Sequence, residues 1–213
     1  MNPDCDVPGA GLSTDLSGFP HPQIDLAVDP AATSAEVVLA GGCFWCTEAV
    51  YRQLDGVLDV VSGYAGGSAE SANYRDVCSG ETDHAEAIRI HYQPAKISFG
   101  QLLKVFLSAA HDPTQLNRQG NDQGRQYRSA IFYADDDQRD VASAYLDQLE
   151  EEAVFSSPVA TTLERLSTFY PAEAQHQDYA ARNPAQPYIA AVSAPKVAKV
   201  RKLYASRLKP VTR

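Results

Sequence analysis

Residues 84–92, "HAEAIRIHY", alternate strictly between two kinds of side chain, and a period of two is the repeat of a β-strand. Small and basic side chains share one face: Ala85, Ala87, Arg89 and His91. The other face is apolar apart from one carboxylate, and it carries Glu86, Ile88, Ile90 and Tyr92. The run therefore predicts a strand whose apolar face packs on a core, with one acid placed on that face.

The remaining elements follow from apolar periodicity and from the turn residues between periodic segments. Strands are predicted at 36–40, 57–64, 128–134 and 159–166. Helices are predicted at 43–54, 99–110, 135–153 and, as a short element, 171–184. Ser98 is expected to cap the second helix. The order β-α-β-β-α-β, then α-β and further helices, predicts an α/β (α+β) fold. We expect a two-layer sandwich with a ferredoxin-like βαββαβ plait core, a mixed sheet and helices on one face.

Two long polar segments, 65–83 and 111–127, lie between the predicted elements. In a compact domain, loops of this length are usually functional or mobile. Three tyrosines fall in or beside them, namely Tyr64, Tyr74 and Tyr127. We therefore expect the two loops to surround a functional site.

The charge distribution limits the classes of partner. The last 18 residues, 196–213, hold seven basic residues and no acidic one. The remainder has eleven basic residues against 27 acidic ones, a net charge of −16, which argues against a nucleic-acid partner. The basic end could touch nucleic acid or a membrane, but a helix lying on the acidic body is favoured. Since the sequence has no apolar run of about 18 residues and no secretory pattern at its start, we expect no membrane span and a cytoplasmic location.

A pair of cysteines, Cys43 and Cys46, flanks two aromatic residues directly after a Gly-Gly turn. A thiol at the first turn of a helix ionises more easily, so Cys43 is expected to be a nucleophile rather than a buried apolar residue. Cys46 lies one turn further on, where its thiol could capture an oxidised Cys43. Three alternatives remain open, one of which is a purely structural protein. Cys78 and His84 could complete a zinc site in a binding module, or the pair could belong to a general thioredoxin-type oxidoreductase, although that motif usually has Pro or Gly between its cysteines.

Three residues near this pair are candidates for recognition and proton transfer. Phe44 and Trp45 could form an aromatic wall that recognises a small apolar or thioether group, or they could pack in the core. Glu86 lies on an apolar strand face, and burial there would raise its pKa and let it act as a general acid. Exposure at the strand end, or pairing with Arg128, is the alternative for this carboxylate.

Five sequence blocks carry a family resemblance. In order they are "GGCFWCTEAVYRQLDGV", "GYAGG", "NYRDVCSGETDHAEAIRIHYQP", "HDPTQLNRQGNDQGRQYRSAIFY" and "AEAQHQDYAARNP". Over residues 36–188 the chain resembles the peptide methionine sulfoxide reductase A family. The resemblance implies an α/β sandwich with the βαββαβ order, reduction of the S epimer of methionine sulfoxide in proteins or as the free amino acid, and thioredoxin as the reductant. It implies neither a cofactor nor a metal.

The resemblance also implies roles for individual residues. Cys43 would attack the sulfoxide sulfur while Glu86 protonates the sulfoxide oxygen. The hydroxyls of Tyr74 and Tyr127 would donate hydrogen bonds to that oxygen. The remaining implied positions bind the substrate: Phe44 and Trp45 as an apolar seat for the ε-methyl group, and Asp122 as a residue that helps to hold the site.

Two departures from the family pattern shape the expected reaction. Many relatives have Gly after Phe-Trp and carry recycling cysteines in a C-terminal tail, whereas here position 46 is Cys and no cysteine follows Cys78. The resemblance therefore implies a Cys43–Cys46 disulfide, as in the Cys-Phe-Trp-Cys subgroup. Asp83 stands where Gly is common, and its charge would raise the pKa of Glu86 if it pointed that way.

Three segments are expected along the chain. Residues 1–34, rich in Pro, Gly, Asp and Ser, are predicted to form an extended N-terminal arm, which includes an incidental Cys5. Residues 35–190 are predicted to form the catalytic domain, and residues 191–213 a basic helical tail. Cys78 is expected to be structural.

Overall fold

The computed structural model of the chain describes residues 18–29 and 31–210. Its strands are β1 (Ala35–Gly41), β2 (Val57–Ala65), β3 (Ala85–Tyr92), β4 (Arg118–Gln119), β5 (Asp122–Gln123), β6 (Ser129–Tyr133), β7 (Thr162–Arg165) and β8 (Phe169–Pro171). Six of them form one mixed sheet in the order β7-β6-β1-β3-β2-β8, in which only β6 and β7 are parallel. The other two, β4 and β5, pair in the second polar loop.

Six α-helices accompany the sheet in the described part of the chain. They are α1 (Phe44–Tyr51), α2 (Tyr74–Cys78), α3 (Phe99–Val105), α4 (Asp136–Glu151), α5 (Tyr179–Arg182) and α6 (Ala194–Leu203). Wider π-helical turns at Phe106–Ala110 and Ile189–Ser193 follow α3 and precede α6. Ser98 forms the predicted cap of α3, since its side chain accepts from the Gln101 N–H while the Gln101 side chain accepts from the Ser98 N–H.

The alternation in β3 places its two faces as predicted. Ile88 and Ile90 belong to the large core cluster, where α1, α3, α4 and α6 also contribute buried side chains. Ala85 and Ala87 belong to a smaller cluster on the opposite face, built mostly from alanines and closed by Phe132. The helical layer therefore lies on one face of the sheet, and the predicted two-layer α/β fold with a mixed sheet is confirmed.

Some elements differ from the predicted ones. The predicted strand at 159–166 is four residues long, Thr162–Arg165, and the predicted helix at 99–110 is divided between α3 and a π-helical turn. Strand β8 was not predicted, and neither was the β4–β5 pair. Elements of two or three residues are too short to show a period, so only their partners in the fold define them.

The two ends of the described chain lie against the core. Near the N-terminal end, Phe19 is buried and its ring meets that of Phe155 edge-on at 6.0 Å between centroids. Near the C-terminal end, Val200 on α6 is buried, and the Tyr204 and Ser108 hydroxyls share a hydrogen bond of 2.6 Å. Within residues 18–29 and 31–210, every helix is too short or too polar to cross a membrane. The predicted divisions at residues 34 and 190 remain predictions, and Cys5 lies outside the described residues.

Candidate active site

The site is built at the junction of β1 and α1. Gly42 has a φ of +83°, and a Cβ atom there would lie 2.6 Å from the Cβ of Gln119. Only glycine meets both conditions without displacing a neighbour. The turn brings Cys43 to the N-cap of α1, where its carbonyl accepts from the Cys46 N–H at 3.1 Å and its side chain is 8% exposed. Cys43 is therefore fixed at the start of the helix, as the sequence predicted.

A cavity of about 240 Å³ opens beside Cys43. Its lining residues are Cys43, Phe44, Trp45, Tyr74, Glu86, Asp122, Tyr127, Gln186 and Tyr188. Seven of these nine were predicted from the sequence as catalytic or substrate-binding residues. The eighth predicted residue, Cys46, is fully buried behind the cavity wall on the next turn of α1.

Glu86 enters the cavity from the apolar face of β3, and it is 2% exposed. Its Oε2 accepts a hydrogen bond of 2.9 Å from the Phe44 N–H at the start of α1. Burial raises the pKa of Glu86 to about 8, so the carboxyl group holds a proton at neutral pH. The alternative partner Arg128 forms an ion pair with Glu164 instead, at 2.9 Å. The Asp83 carboxylate pairs with Arg125 at 2.7 Å and is 71% exposed.

The two thiols form a hydrogen-bonded pair in which Cys43 donates to Cys46. Burial raises the pKa of the Cys43 thiol well above its usual value, and the bond to Cys46 and the nearby Glu86 act in the same direction. The expectation that Cys43 ionises easily is therefore wrong for the resting site, because burial outweighs the helix terminus. The hydrogen bond from Cys43 lowers the pKa of Cys46 to about 7.

The two predicted hydroxyl donors reach the cavity from the two polar loops. Tyr74 is the first residue of α2, and its N–H donates to the Glu173 carboxylate at 2.9 Å. Tyr127 ends a short 3₁₀ turn, Arg125–Tyr127. Burial raises the pKa of both phenols, so both hydroxyls stay protonated and can donate.

An aromatic stack forms the apolar wall. Trp45 stacks on Tyr179 with 3.9 Å between ring centroids and 14° between planes. His176 lies beside it and stacks on Tyr74 at 4.1 Å. Burial lowers the pKa of His176, which keeps its ring neutral within the stack. Phe44 is fully buried and also lines the cavity.

Four residues of the site were not identified from the sequence. Gln186 and Tyr188 line the cavity, while His176 and Glu173 position its rings and the start of α2. Glu173 and His176 stand in the block "AEAQHQDYAARNP", where a carboxylate between two alanines and an imidazole between two glutamines are a detectable signal. Tyr188 follows "NPAQP", a turn-rich stretch without periodicity, so only the fold shows that it belongs to the site.

The zinc alternative would require Cys78 and His84 near the cysteine pair. The His84 Nε2 instead bonds the Ser68 carbonyl at 2.8 Å, and Cys78 shares a hydrogen bond with the Tyr74 hydroxyl. In the part of the chain that the structure describes, no three His, Cys, Asp or Glu side chains are grouped so that they could hold a metal ion. The residues proposed for zinc are thus engaged elsewhere.

Comparisons with known proteins agree with this geometry. The sequence model of the peptide methionine sulfoxide reductase family matches residues 35–208. Peptide methionine sulfoxide reductase MsrA 2 of Synechocystis sp. is 51% identical over 195 residues, which cover 90% of each protein. MsrA of Deinococcus radiodurans is 50% identical over 180 residues, covering 84% of this chain and 87% of that protein. The solved structure of reduced Mxr1 from Saccharomyces cerevisiae matches with a TM-score of 0.66 and 36% identity, covering 75% of this chain and 91% of that one. The chain therefore belongs to the peptide methionine sulfoxide reductase A family and is an oxidoreductase of that family.

Proposed function

We propose that this enzyme reduces methionine S-sulfoxide, peptide-bound or free, to methionine and leaves a sulfenic acid on Cys43. One observation carries the proposal: a thiol at the start of α1 and a protonated carboxyl group line the same cavity. The aromatic wall of Trp45 beside that thiol is suited to a thioether methyl group. Repair of oxidised methionine in cytoplasmic proteins is the role that such an activity would serve.

The first half-reaction transfers one oxygen atom. The Cys43 sulfur attacks the sulfoxide sulfur while Glu86 gives its proton to the sulfoxide oxygen. The oxygen then moves to Cys43 as a sulfenic acid, the thioether leaves, and the thiol proton returns to Glu86. Sulfoxide oxygen is a poor leaving group without a proton, so the acid is essential. The hydroxyls of Tyr74 and Tyr127 stabilise charge on that oxygen, a role worth about 3 kcal/mol for one donor.

The second half-reaction restores the thiol. The Cys46 sulfur attacks the Cys43 sulfenic acid, releasing water and forming a disulfide between the two. The position of Cys46 one helical turn after Cys43, where each thiol shifts the pKa of the other, supports this pairing. Thioredoxin would then reduce the disulfide by thiol–disulfide exchange.

Mass spectrometry after one equivalent of a resolved sulfoxide epimer tests the proposal. Wild-type enzyme should convert the S epimer, not the R epimer, and should lose two thiols to a disulfide. Cys43→Ser should give no methionine even in one turnover. Cys46→Ser should give about one methionine per enzyme and then stop in the presence of thioredoxin.

Cys78→Ser is the matched control, because it removes a half-buried thiol that takes part in none of the proposed steps and leaves a hydroxyl that can still hydrogen-bond Tyr74. It should turn over repeatedly with thioredoxin. Methionine formation by Cys43→Ser would overturn the nucleophile assignment. Sustained turnover by Cys46→Ser would overturn the disulfide and leave the first half-reaction intact.

A further inference from the structure

Tyr188 occupies a position between the second thiol and a carboxylate. The Cys46 Sγ donates to the Tyr188 hydroxyl at 3.8 Å, within the range for a sulfur donor. The same hydroxyl donates to Oδ2 of Asp122 at 2.5 Å. The three groups thus form a continuous chain of donors and acceptors that runs from the thiol to the carboxylate.

The ring of Tyr188 is held in this position by its surroundings. It meets Trp45 edge-on, with 6.2 Å between ring centroids and 77° between planes. The next residue, Ile189, is buried, and its N–H donates to the Gln186 side chain at 2.9 Å. Burial also raises the pKa of the Tyr188 phenol, so its hydroxyl keeps a proton to pass on.

From this geometry we propose that Tyr188 is a catalytic residue of disulfide formation: its hydroxyl accepts the Cys46 proton and passes its own to Asp122 as Cys46 attacks. The proposal rests on the proposed function, since it concerns the sulfenic acid on Cys43. It assigns to Asp122 a second task besides holding the site, that of a proton acceptor.

The step balances without an external reactant. A bond forms between the Cys46 and Cys43 sulfurs, and the S–O bond of the sulfenic acid breaks with its electron pair on oxygen. The proton that Tyr188 passes to Asp122, which lines the same cavity as Cys43, then neutralises the departing hydroxide to water. Cys46 is oxidised and the Cys43 sulfur is reduced, so no other oxidant or reductant is needed.

Several charged groups surround Cys46 and set the pH range of the step. Asp122 on β5 raises the pKa of Cys46, and Lys196 on α6 lowers it. Glu86 on β3 lies near both thiols and is itself neutral below about pH 8. Without the relay, attack would depend on the fraction of Cys46 that had already lost its proton, and this fraction falls about tenfold for each pH unit below the thiol pKa.

Competition for the sulfenic acid provides the test. One equivalent of methionine S-sulfoxide is added, without thioredoxin, in the presence of dimedone, a cyclic 1,3-diketone that traps sulfenic acids. Intact-protein mass spectrometry then gives the ratio of dimedone adduct to disulfide. This ratio reports how one intermediate partitions, so it does not depend on the rate at which the intermediate forms.

Wild-type enzyme should form mainly disulfide from pH 6 to pH 8. In Tyr188→Phe, the adduct-to-disulfide ratio should rise about tenfold for each pH unit below the pKa of the Cys46 thiol. Asp122→Asn should show the same dependence, because an amide accepts a hydrogen bond but not a proton. The double variant should have an adduct-to-disulfide ratio no higher than that of either single variant, since both residues act in the same proton relay. Tyr170→Phe, which removes a phenol on β8 outside the cavity, is the matched control and should keep the wild-type ratio.

A wild-type ratio and pH dependence in Tyr188→Phe would overturn the relay. So would a wild-type pH dependence in Asp122→Asn, which also decides the question if Tyr188→Phe does not fold. Failure of the proposed function looks different, because wild-type enzyme would then form neither methionine, adduct nor disulfide.

Discussion

The carboxyl group of Glu86 connects burial with chemistry in this site. It lies on the apolar face of β3, and the desolvation that raises its pKa to about 8 also keeps it protonated near neutral pH. The Phe44 N–H donates to one of its oxygens at 2.9 Å. The other oxygen is left to carry a proton toward the cavity.

Glu86→Gln should slow single-turnover methionine formation by about 10²- to 10⁴-fold, the usual worth of a general acid. The amide oxygen can still accept from Phe44, so the loss should lie in proton transfer rather than in folding. In the wild type, the rate should fall as pH rises through about 8, because the acid form is lost there. Rapid quenching across pH 6 to 10 measures both effects. Glu48→Gln, a buried carboxylate outside the cavity lining, is the control, and an equal loss in both variants would contradict the acid role.

The same raised pKa predicts how stability depends on pH. Glu86 binds its proton more tightly in the folded chain than in the unfolded one, where its pKa is near 4.5. Its contribution to stability is therefore fully present below about pH 4.5 and is lost as pH rises through about 8. Urea unfolding should show Glu86→Gln gaining stability relative to the wild type between pH 5 and pH 9. A difference that stays constant over this range would show that Glu86 is not protonated in the folded enzyme.

At the scale of elements, strands and helices with a clear period could be predicted from the sequence. The alternation in β3 identified both its faces, and Ser98 marked the start of α3. By contrast, β8 has three residues and exists because it pairs with Gly63–Ala65 of β2. No local signal could reveal such a strand, because the hydrogen bonds that define it join residues more than 100 positions apart.

The turn at Gly42, between β1 and α1, determines where the start of α1 and its thiol lie. Gly42→Ala would combine a φ of +83° with a Cβ 2.6 Å from that of Gln119. We expect a loss of about 2 to 4 kcal/mol of stability and a slower first half-reaction, because Gln119 or the start of α1 must shift. Gly120→Ala is the matched control, since its φ is +61° but nothing lies within 4 Å of its Cβ position. This control substitution should lower the free energy of unfolding by only about 1 kcal/mol. If urea unfolding shows equal losses of stability in Gly42→Ala and Gly120→Ala, backbone strain alone explains the effect and the contact with Gln119 does not contribute.

At the scale of the whole molecule, the cavity is assembled from segments far apart in sequence. Residue patterns singled out four of the seven predicted residues that line it, and the family resemblance, now confirmed, added the roles of Tyr74, Tyr127 and Asp122. Tyr188 and Gln186 come from the chain just before α6, and they close the cavity only because α6 packs against α1. Their place depends on tertiary packing, which a turn-rich stretch such as "NPAQPY" does not encode locally.

Substitutions in α6 can show whether residues 191–213 unfold together with the rest of the chain. If residues 191–213 formed a separate tail, changes in α6 would leave the main unfolding transition unmoved. Val200 is fully buried in the main core cluster, and the Asp55 N–H donates to the Arg207 carbonyl at 2.7 Å. We therefore expect Val200→Ala to lower the free energy of unfolding by about 2 kcal/mol, with one transition and an unchanged m-value.

Lys202→Ala, at an exposed position of the same helix, should change the free energy of unfolding by less than about 0.5 kcal/mol. Urea unfolding followed by Trp45 fluorescence and by far-ultraviolet circular dichroism measures both variants. A second transition in Val200→Ala, or an unmoved midpoint of the main one, would support a separate tail. A single shifted transition would instead place α6 inside the catalytic domain, so that one unfolding free energy would describe both the core and the cavity that α6 helps to close.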